Sequence, residues 1–492
     1  MKKTPLLLIL VLASCAVTRT PKEEFRGVWI ATVVNIDWPK QPGDKVEKQK
    51  TDFKAILDFY GQLHFNAAIV QIRTAGDAFY PSKLAPWSRY LTGKEGKPPE
   101  LAFGDPLKWL VSETHKKGME FHAWLNPYRA TFNLDTLSLS ASHDFYQHRD
   151  WMVKYGNKYY YNPGIPEVQQ HLVDIIAEVV EHYEIDAIHF DDYFYPYRIE
   201  NEIFNDSLAF STYAMERQSL ADWRRSNVDS LVKYTQNTIK ELKPWVQFGI
   251  SPFGVWKNNT TDPRGSATRA GQTNYEDLYA DPISWIENNW LDYLAPQAYW
   301  SLDYPAAPHR VIAEWWNNEA GNTNVYMGNG PYKIKNNADK AWNRKKEIPK
   351  QLTLARKLDN IQGNIFFSAK SLIGQHSNVV RHLRKKQYQE PSLPPTFKIQ
   401  KERALSLPSV AMESISGGKK SVSVVHKDSI PRYISLYKIK KNNKTKVLDR
   451  VYLAPNDTLA YLQWKSNKVQ NHGLSIEIRD AFGNYRNIKY LH

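Results

Sequence analysis

Asp191 and Asp192 end a largely apolar run at 185–190 that reads IDAIHF, and the chain then turns aromatic at Tyr193, Phe194, Tyr195 and Tyr197. Cleavage of a glycosidic bond needs an acid to protonate the departing oxygen and a second group at the anomeric carbon. Adjacent carboxylates could supply both. A strand buried on both faces has no packing reason to finish in bare charge, so these acids must be hydrogen-bonded, paired or catalytic. The structural alternative is a salt-bridged pair beneath a loop. Strand alternation puts His189, Asp191 and Tyr193 on one face and Ile188, Phe190 and Asp192 on the other. Ile188 and Phe190 suit a helix layer, so Asp191 is expected to face a cleft, with His189 beside it as a hydrogen-bond donor. Asp192 stands where the strand is ending and can turn either way.

Elements able to position these residues recur along the chain. Apolar, β-forming runs at 25–32, 67–73, 120–126, 185–190, 247–252, 291–298, 324–328 and 361–367 alternate with amphipathic stretches at 48–63, 106–117, 166–183, 220–242, 308–317, 348–358 and 371–384. That alternation is the mark of a parallel sheet with crossover helices, and eight units suit an α/β fold of the (β/α)8 TIM-barrel type. In such a barrel the strand C-termini share one face, and polar and aromatic residues gather at these ends. Trp29, Tyr128, Tyr299 and Trp300 are expected to stack on sugar rings, Asn126 and Gln297 to hydrogen-bond hydroxyl or acetamido groups, and His189 and Tyr193 to flank the acids. Arg73 could clamp a substrate carboxylate, or form an internal ion pair with Asp77 or Asp191. Strands five and six end without a carboxylate, which leaves Asp262, Glu276 and Asp277 in the long loop after strand five as substitutes for the second acid. No metal-ligand spacing, phosphate-cradling glycine loop or nucleophile elbow is present, so neither a metal nor another cofactor is expected.

FRGVWI at 25–30, QIR at 71–73, WLNP at 124–127 and HFDDY at 189–193 together resemble the glycosyl-hydrolase-like family 10 proteins over residues 24–385. The resemblance implies a (β/α)8 glycoside hydrolase, often a lipoprotein, with relatives that include an enzyme cleaving peptidoglycan glycan strands stripped of stem peptides. A fainter likeness to chitinase-type barrels lies in the spacing of Asp186, His189, Asp191 and Tyr193. Tyr193 stands where those enzymes keep an acidic Glu, which puts their substrate-assisted mechanism in doubt. Asp191 and Asp192 are therefore the expected catalytic pair, with retention or inversion open.

The remaining sequence bounds the setting. Residues 1–14 carry a Lys pair, a short apolar run and small residues before Cys15, and LASC resembles a lipobox. Cys15 is the single cysteine of 492 residues, so no intrachain disulfide can form and lipidation gives the thiol a purpose. The expectation is a signal peptide at 1–14, a tether at 15–23, a catalytic domain at 24–390 and an accessory domain at 391–492, lipid-anchored in a bacterial cell envelope, on the outer membrane. A net charge of +14 would suit an acidic partner, but export argues against nucleic acid, and scattered lysines near the C-terminus read as a solvated surface. Sixteen Trp and 29 Tyr are more aromatics than packing requires and fit a polysaccharide partner. PSLPP at 391–395 reads as a stiff linker, and the short alternating runs beyond it suggest a β-sandwich loosely like a fibronectin type III module. Oligomeric state is not legible. Two other functions fit the same residues: a non-catalytic glycan-binding lipoprotein, and a metal-dependent polysaccharide deacetylase.

Overall fold

A computed structural model describes residues 21–398, 404–415, 419–428, 430–440, 445–455, 457–465 and 473–490. Cys15 and the expected signal peptide lie outside the described residues. Ten strands occupy the first part of the chain: β1 (Phe25–Ile30), β2 (Ala67–Arg73), β3 (Glu120–Leu125), β4 (Met152–Tyr155), β5 (Lys158–Tyr161), β6 (Ala187–Phe190), β7 (Gln247–Ile250), β8 (Tyr293–Leu294), β9 (Asn324–Asn329) and β10 (Ile361–Phe366). All but β4 and β5 close a parallel barrel in the order β1-β10-β9-β8-β7-β6-β3-β2. The eight strands expected from the sequence are these eight. Helices such as Val46–Gly61, Pro106–Lys116, Pro166–His182 and Leu220–Leu242 return the chain between strands. Proline at the first turn of the second and third, and a Ser219 side chain accepting from the Asp222 amide at the fourth, set their starts.

Each barrel strand packs on two sides, and its alternation sorts side chains accordingly. Phe25, Trp29, Ile69, Trp124, Ala187, Tyr293, Tyr326 and Ile365 fill the barrel axis, while Val70, Ile72, Ile188 and Phe190 pack outward against the helices. Phe25 stacks on Tyr326 with ring centroids 4.0 Å apart. Gly249 on β7 is needed because a Cβ there would stand 2.0 Å from the Tyr293 ring. Two features depart from the sequence expectation. The sixth barrel strand, expected over 291–298, is only two residues long, and the long loop before it carries the short helices Asn274–Asp277 and Pro282–Glu287. The loop after β3, left unassigned in sequence, folds into the antiparallel hairpin β4–β5.

Beyond the barrel, β11 (Ser409–Ile415), β12 (Lys419–Val425), β13 (Pro431–Ile439), β14 (Thr445–Tyr452), β15 (Leu459–Lys465), β16 (Gly473–Asp480) and β17 (Tyr485–Tyr490) form two antiparallel sheets, β11-β12-β15 and β14-β13-β16-β17. Val422, Leu436, Leu462 and Ile476 belong to the core between them, the sandwich expected from the alternation. Four of the seven strands are legible there. The missed ones, β11, β14 and β17, are three of the four outer strands, and the fourth, β15, shows the alternation plainly. The sandwich meets the N-terminal end of the barrel: Arg432 and Tyr452 bind Asp186, Arg479 pairs with Glu23 at 2.6 Å, and Arg26 reaches Ser392 in the linker at 2.9 Å. Lys22 and Glu23, within the expected tether, are thus held against the C-terminal strands, the former by Glu477.

Candidate active site

Strand β6 stops at Phe190, and the two carboxylates follow at the C-terminal mouth of the barrel. They are only 4% and 3% exposed, yet both line a cavity of about 340 Å³. Its wall is assembled from strand ends: Trp29 of β1, Gln71 of β2, Trp124 of β3, Ser251 after β7, Gln297 and Tyr299 after β8, and Phe367 after β10. Arg129, Tyr193 and Tyr197 close it from the loops. The acids are therefore enclosed by their supports and still open to a ligand, a size and aromatic lining suited to a small organic group.

Different partners hold the two acids. Asp191 Oδ2 accepts from Trp124 Nε1 at 3.2 Å and Asn126 Nδ2 at 3.0 Å, and Oδ1 accepts from the Tyr193 amide at 3.3 Å. Asn126 is itself oriented by accepting the Arg129 amide at 3.0 Å. Asp192 accepts from the Tyr197 hydroxyl, and the Gln297 side chain also supports it. Burial pushes Asp191 up to about 7, the charge of Asp192 adds to the rise, and Arg129 with the Trp124 and Tyr193 donors opposes it. Burial raises Asp192 as well, against the Tyr197 and Gln297 hydrogen bonds and Arg129. Burial and the charge of Asp192 thus let Asp191 hold its proton to higher pH than an exposed carboxyl does. Asp191 is the better-placed keeper of that proton, since Asp192 has the hydroxyl donor that favours a carboxylate.

The sequence-expected residues divide into those at the cavity and those behind it. Trp29, Tyr193, Gln297 and Tyr299 line it with the acid pair. Asn126 is buried and acts on Asp191 rather than on a ligand. His189 points into the barrel as alternation requires, but it does not bond Asp191. Its Nε2 accepts from Trp29 Nε1 at 3.2 Å and meets Ser251 Oγ at 3.0 Å, while Nδ1 lies 2.9 Å from the Tyr293 hydroxyl. Complete burial holds this imidazole well below its ordinary pKa, so it is a neutral brace for Trp29. Arg73 is drawn beneath the loops, with Nη2 3.2 Å from the Tyr161 hydroxyl and Nη1 3.5 Å from the Asp77 carbonyl. A register shift between Gln71 and Arg73 against β3 breaks the alternation and leaves Gln71 at the cavity instead. Tyr128 is fully buried with the outer core, and Trp300 packs edge-on to Phe253 at 5.5 Å.

The substitutes considered for a second acid are engaged elsewhere. Asp262 pairs with Lys257 at 2.9 Å, Asp277 accepts the Thr273 amide at 2.8 Å, and Glu276 is bound by the Thr273 hydroxyl. Asp186 sits at the opposite end of β6, so the chitinase-like spacing does not gather at one site. Among the described residues, no three His, Cys, Asp or Glu side chains are grouped to hold a metal ion. Arg129, Tyr197 and Gln71 are the site residues to which the sequence reading gives no role, although all three stand in or beside the strand-end runs. The WLNPYR run holds the only signal for Arg129, three residues past Asn126.

Comparison with known proteins supplies a family. The profile described as Glycosyl hydrolase-like 10 matches residues 24–344. The chain belongs to this family. Among curated relatives, the Glycosyl hydrolase YngK of Bacillus subtilis (strain 168) is 48% identical over 376 residues, which are 76% of this chain and 73% of that protein. The Glycosyl hydrolase DigH of Escherichia coli (strain K12) is 38% identical over 375 residues, 72% of this chain and 84% of that protein. Among solved structures, the PgaB (BpsB) glycoside hydrolase domain from Bordetella bronchiseptica has a TM-score of 0.49 at 12% identity, covering 75% of this chain and 99% of that one. As a family member the chain is a glycoside-hydrolase-like TIM barrel.

Proposed function

We propose that the protein is a lipid-anchored glycoside hydrolase of the bacterial cell envelope that cleaves an N-acetylhexosamine-containing polysaccharide, with peptidoglycan glycan strands as the favoured substrate. The observation that carries this reading is the asymmetric acid pair at the cavity, with Asp191 pushed up to about 7 and Asp192 bound by Tyr197. Asp191 donates its proton to the glycosidic oxygen as the bond from the anomeric carbon breaks, Asp192 faces the positive charge that develops there, and a water then bonds that carbon and gives up a proton that restores the acid pair. Trp29, Tyr193 and Tyr299 supply faces for the sugar rings, and Gln297 bonds their polar substituents. Names of relatives support hydrolysis as the reaction class, and the lipobox-like segment ending at Cys15 supports the anchor.

The full-length protein in detergent, incubated with a panel of bacterial glycans that includes bare peptidoglycan strands and read by product mass, tests this. Shortened strands from the wild type and none from Asp191→Asn are the expected outcome. Strand binding without products from the wild type would favour a non-catalytic glycan-binding protein. Acetate release would favour a deacetylase.

A further inference from the structure

Arg129 shares the cavity with the acid pair yet forms no ion pair among the described residues, and its Nε has no hydrogen-bond partner. It is 7% exposed. Other buried arginines are matched: Arg26 with Glu24, Arg224 with Asp206, Arg432 with Asp186 and Arg479 with Glu23. Arg73 reaches Asp144 through the Tyr161 hydroxyl. The position of Arg129 is nevertheless fixed. Its amide donates to Asn126, its backbone bridges to Tyr160 of the β4–β5 hairpin, and its Cζ stands 4.4 Å from the Tyr193 ring centroid.

Asp191 and Asp192 act on Arg129 only through space, and a guanidinium whose own hydrogen bonds are unmade is costly once a ligand displaces the water around it. A neutral sugar filling the cavity would offer those donors only single hydroxyl or carbonyl acceptors. A sugar with a carboxylate would complete it, because the planar guanidinium offers two parallel donors to two oxygens. A dianionic phosphate is less suited, since Asp191 and Asp192 already place negative charge in the same space. We propose that Arg129 is the specificity residue of the site, binding a carboxylate substituent on the sugar held beside the acid pair. This rests on the glycan-binding cleft inferred above and names its substrate class as acidic sugars. Such a carboxylate comes from a lactyl ether or from a hexuronic acid.

The experiment compares three probes on the full-length protein: peptide-free strands of alternating N-acetylglucosamine and N-acetylmuramic acid, the same strands with lactyl carboxyls converted to amides, and N-acetylglucosamine–glucuronic acid oligomers. The wild type is expected to cleave the carboxylated strand at least tenfold better in kcat/KM than its amide. Arg129→Gln should collapse that ratio to near one, and Arg129→Lys should restore part of it. Cleavage of the glucuronic acid oligomers in place of the muramic strands would assign the hexuronic source. A wild type indifferent to amidation overturns the proposal, as does a ratio that survives in a folded Arg129→Gln. Cleavage of no glycan would sink the hydrolase reading alone, and calorimetric binding of the same strand pair then decides for Arg129: preference for the carboxylated strand supports it, and equal affinity overturns it.

Discussion

The two ends of β6 carry buried aspartates of opposite character. At the N-terminal end Asp186 is ringed by Arg432, His115 at 2.8 Å, the Tyr452 hydroxyl at 2.8 Å and the Phe121 amide at 2.6 Å. Arg432 and His115 outweigh the effect of burial and hold its carboxyl well below the ordinary range. At the C-terminal end Asp191 is equally buried, but its direct partners are neutral donors, and it is raised to about 7. Burial of a carboxylate is therefore no sign of function by itself. What separates the docking acid from the one proposed to be catalytic is a touching cation in the first case and an open cavity in the second. The TIM-barrel rule matches this polarity, stability at the strand starts and chemistry at their ends.

Substitutions can break that contrast, beginning with the largest effect. Asp191→Asn should lower kcat by about 10³-fold, the scale of a lost general acid, without lowering the melting temperature. A melting temperature that falls steeply would make Asp191 a structural acid like Asp186. Asp186→Asn should do the reverse and cost about 3–5 kcal/mol of stability by stranding Arg432, measured by denaturant unfolding, with activity per folded molecule kept within about twofold. Tyr197→Phe should reduce kcat by roughly tenfold through the lost bond to a charged acceptor. Because that bond favours ionised Asp192, its loss should also move the acid limb of the pH–rate profile to higher pH.

The pH dependence of stability offers a further contrast. Asp191, raised in the fold, keeps a proton that the unfolded chain has released, so its contribution falls as pH climbs from about 4 to about 7. The slope is at most about 1.4 kcal/mol per unit. Asp186, lowered in the fold, contributes fully above about pH 4 and loses that contribution as the pH drops further. Asp191→Asn should flatten the first trend and leave the second. Persistence of the first trend in this variant would assign it to other groups.

Much of this was legible in the sequence, for reasons that also mark its limits. Strand periodicity located all eight barrel strands, and alternation on β6 put Ile188 and Phe190 outside and Asp191 inside. The same rule failed wherever the ladder stopped being regular. At Arg73 the register shift reversed the expected direction, and past β3 the chain has no period to read, so Tyr128 was placed at the cleft and Arg129 was given no role. His189 was placed on the right face but given the wrong partner, because its bonds to Trp29 and Tyr293 run across the barrel between strands far apart in sequence. The composition of the loops carries no record of such cross-barrel pairings.

Carboxyl ¹³C resonances of aspartate-labelled protein, followed from acid to alkaline pH, test the central claim most directly. One resonance, absent from Asp191→Asn, should titrate near pH 7, while the one absent from Asp186→Asn should stay in its ionised position through the ordinary carboxylate range. An Asp191 signal that titrates near 4, alongside that of an exposed aspartate, would contradict the account.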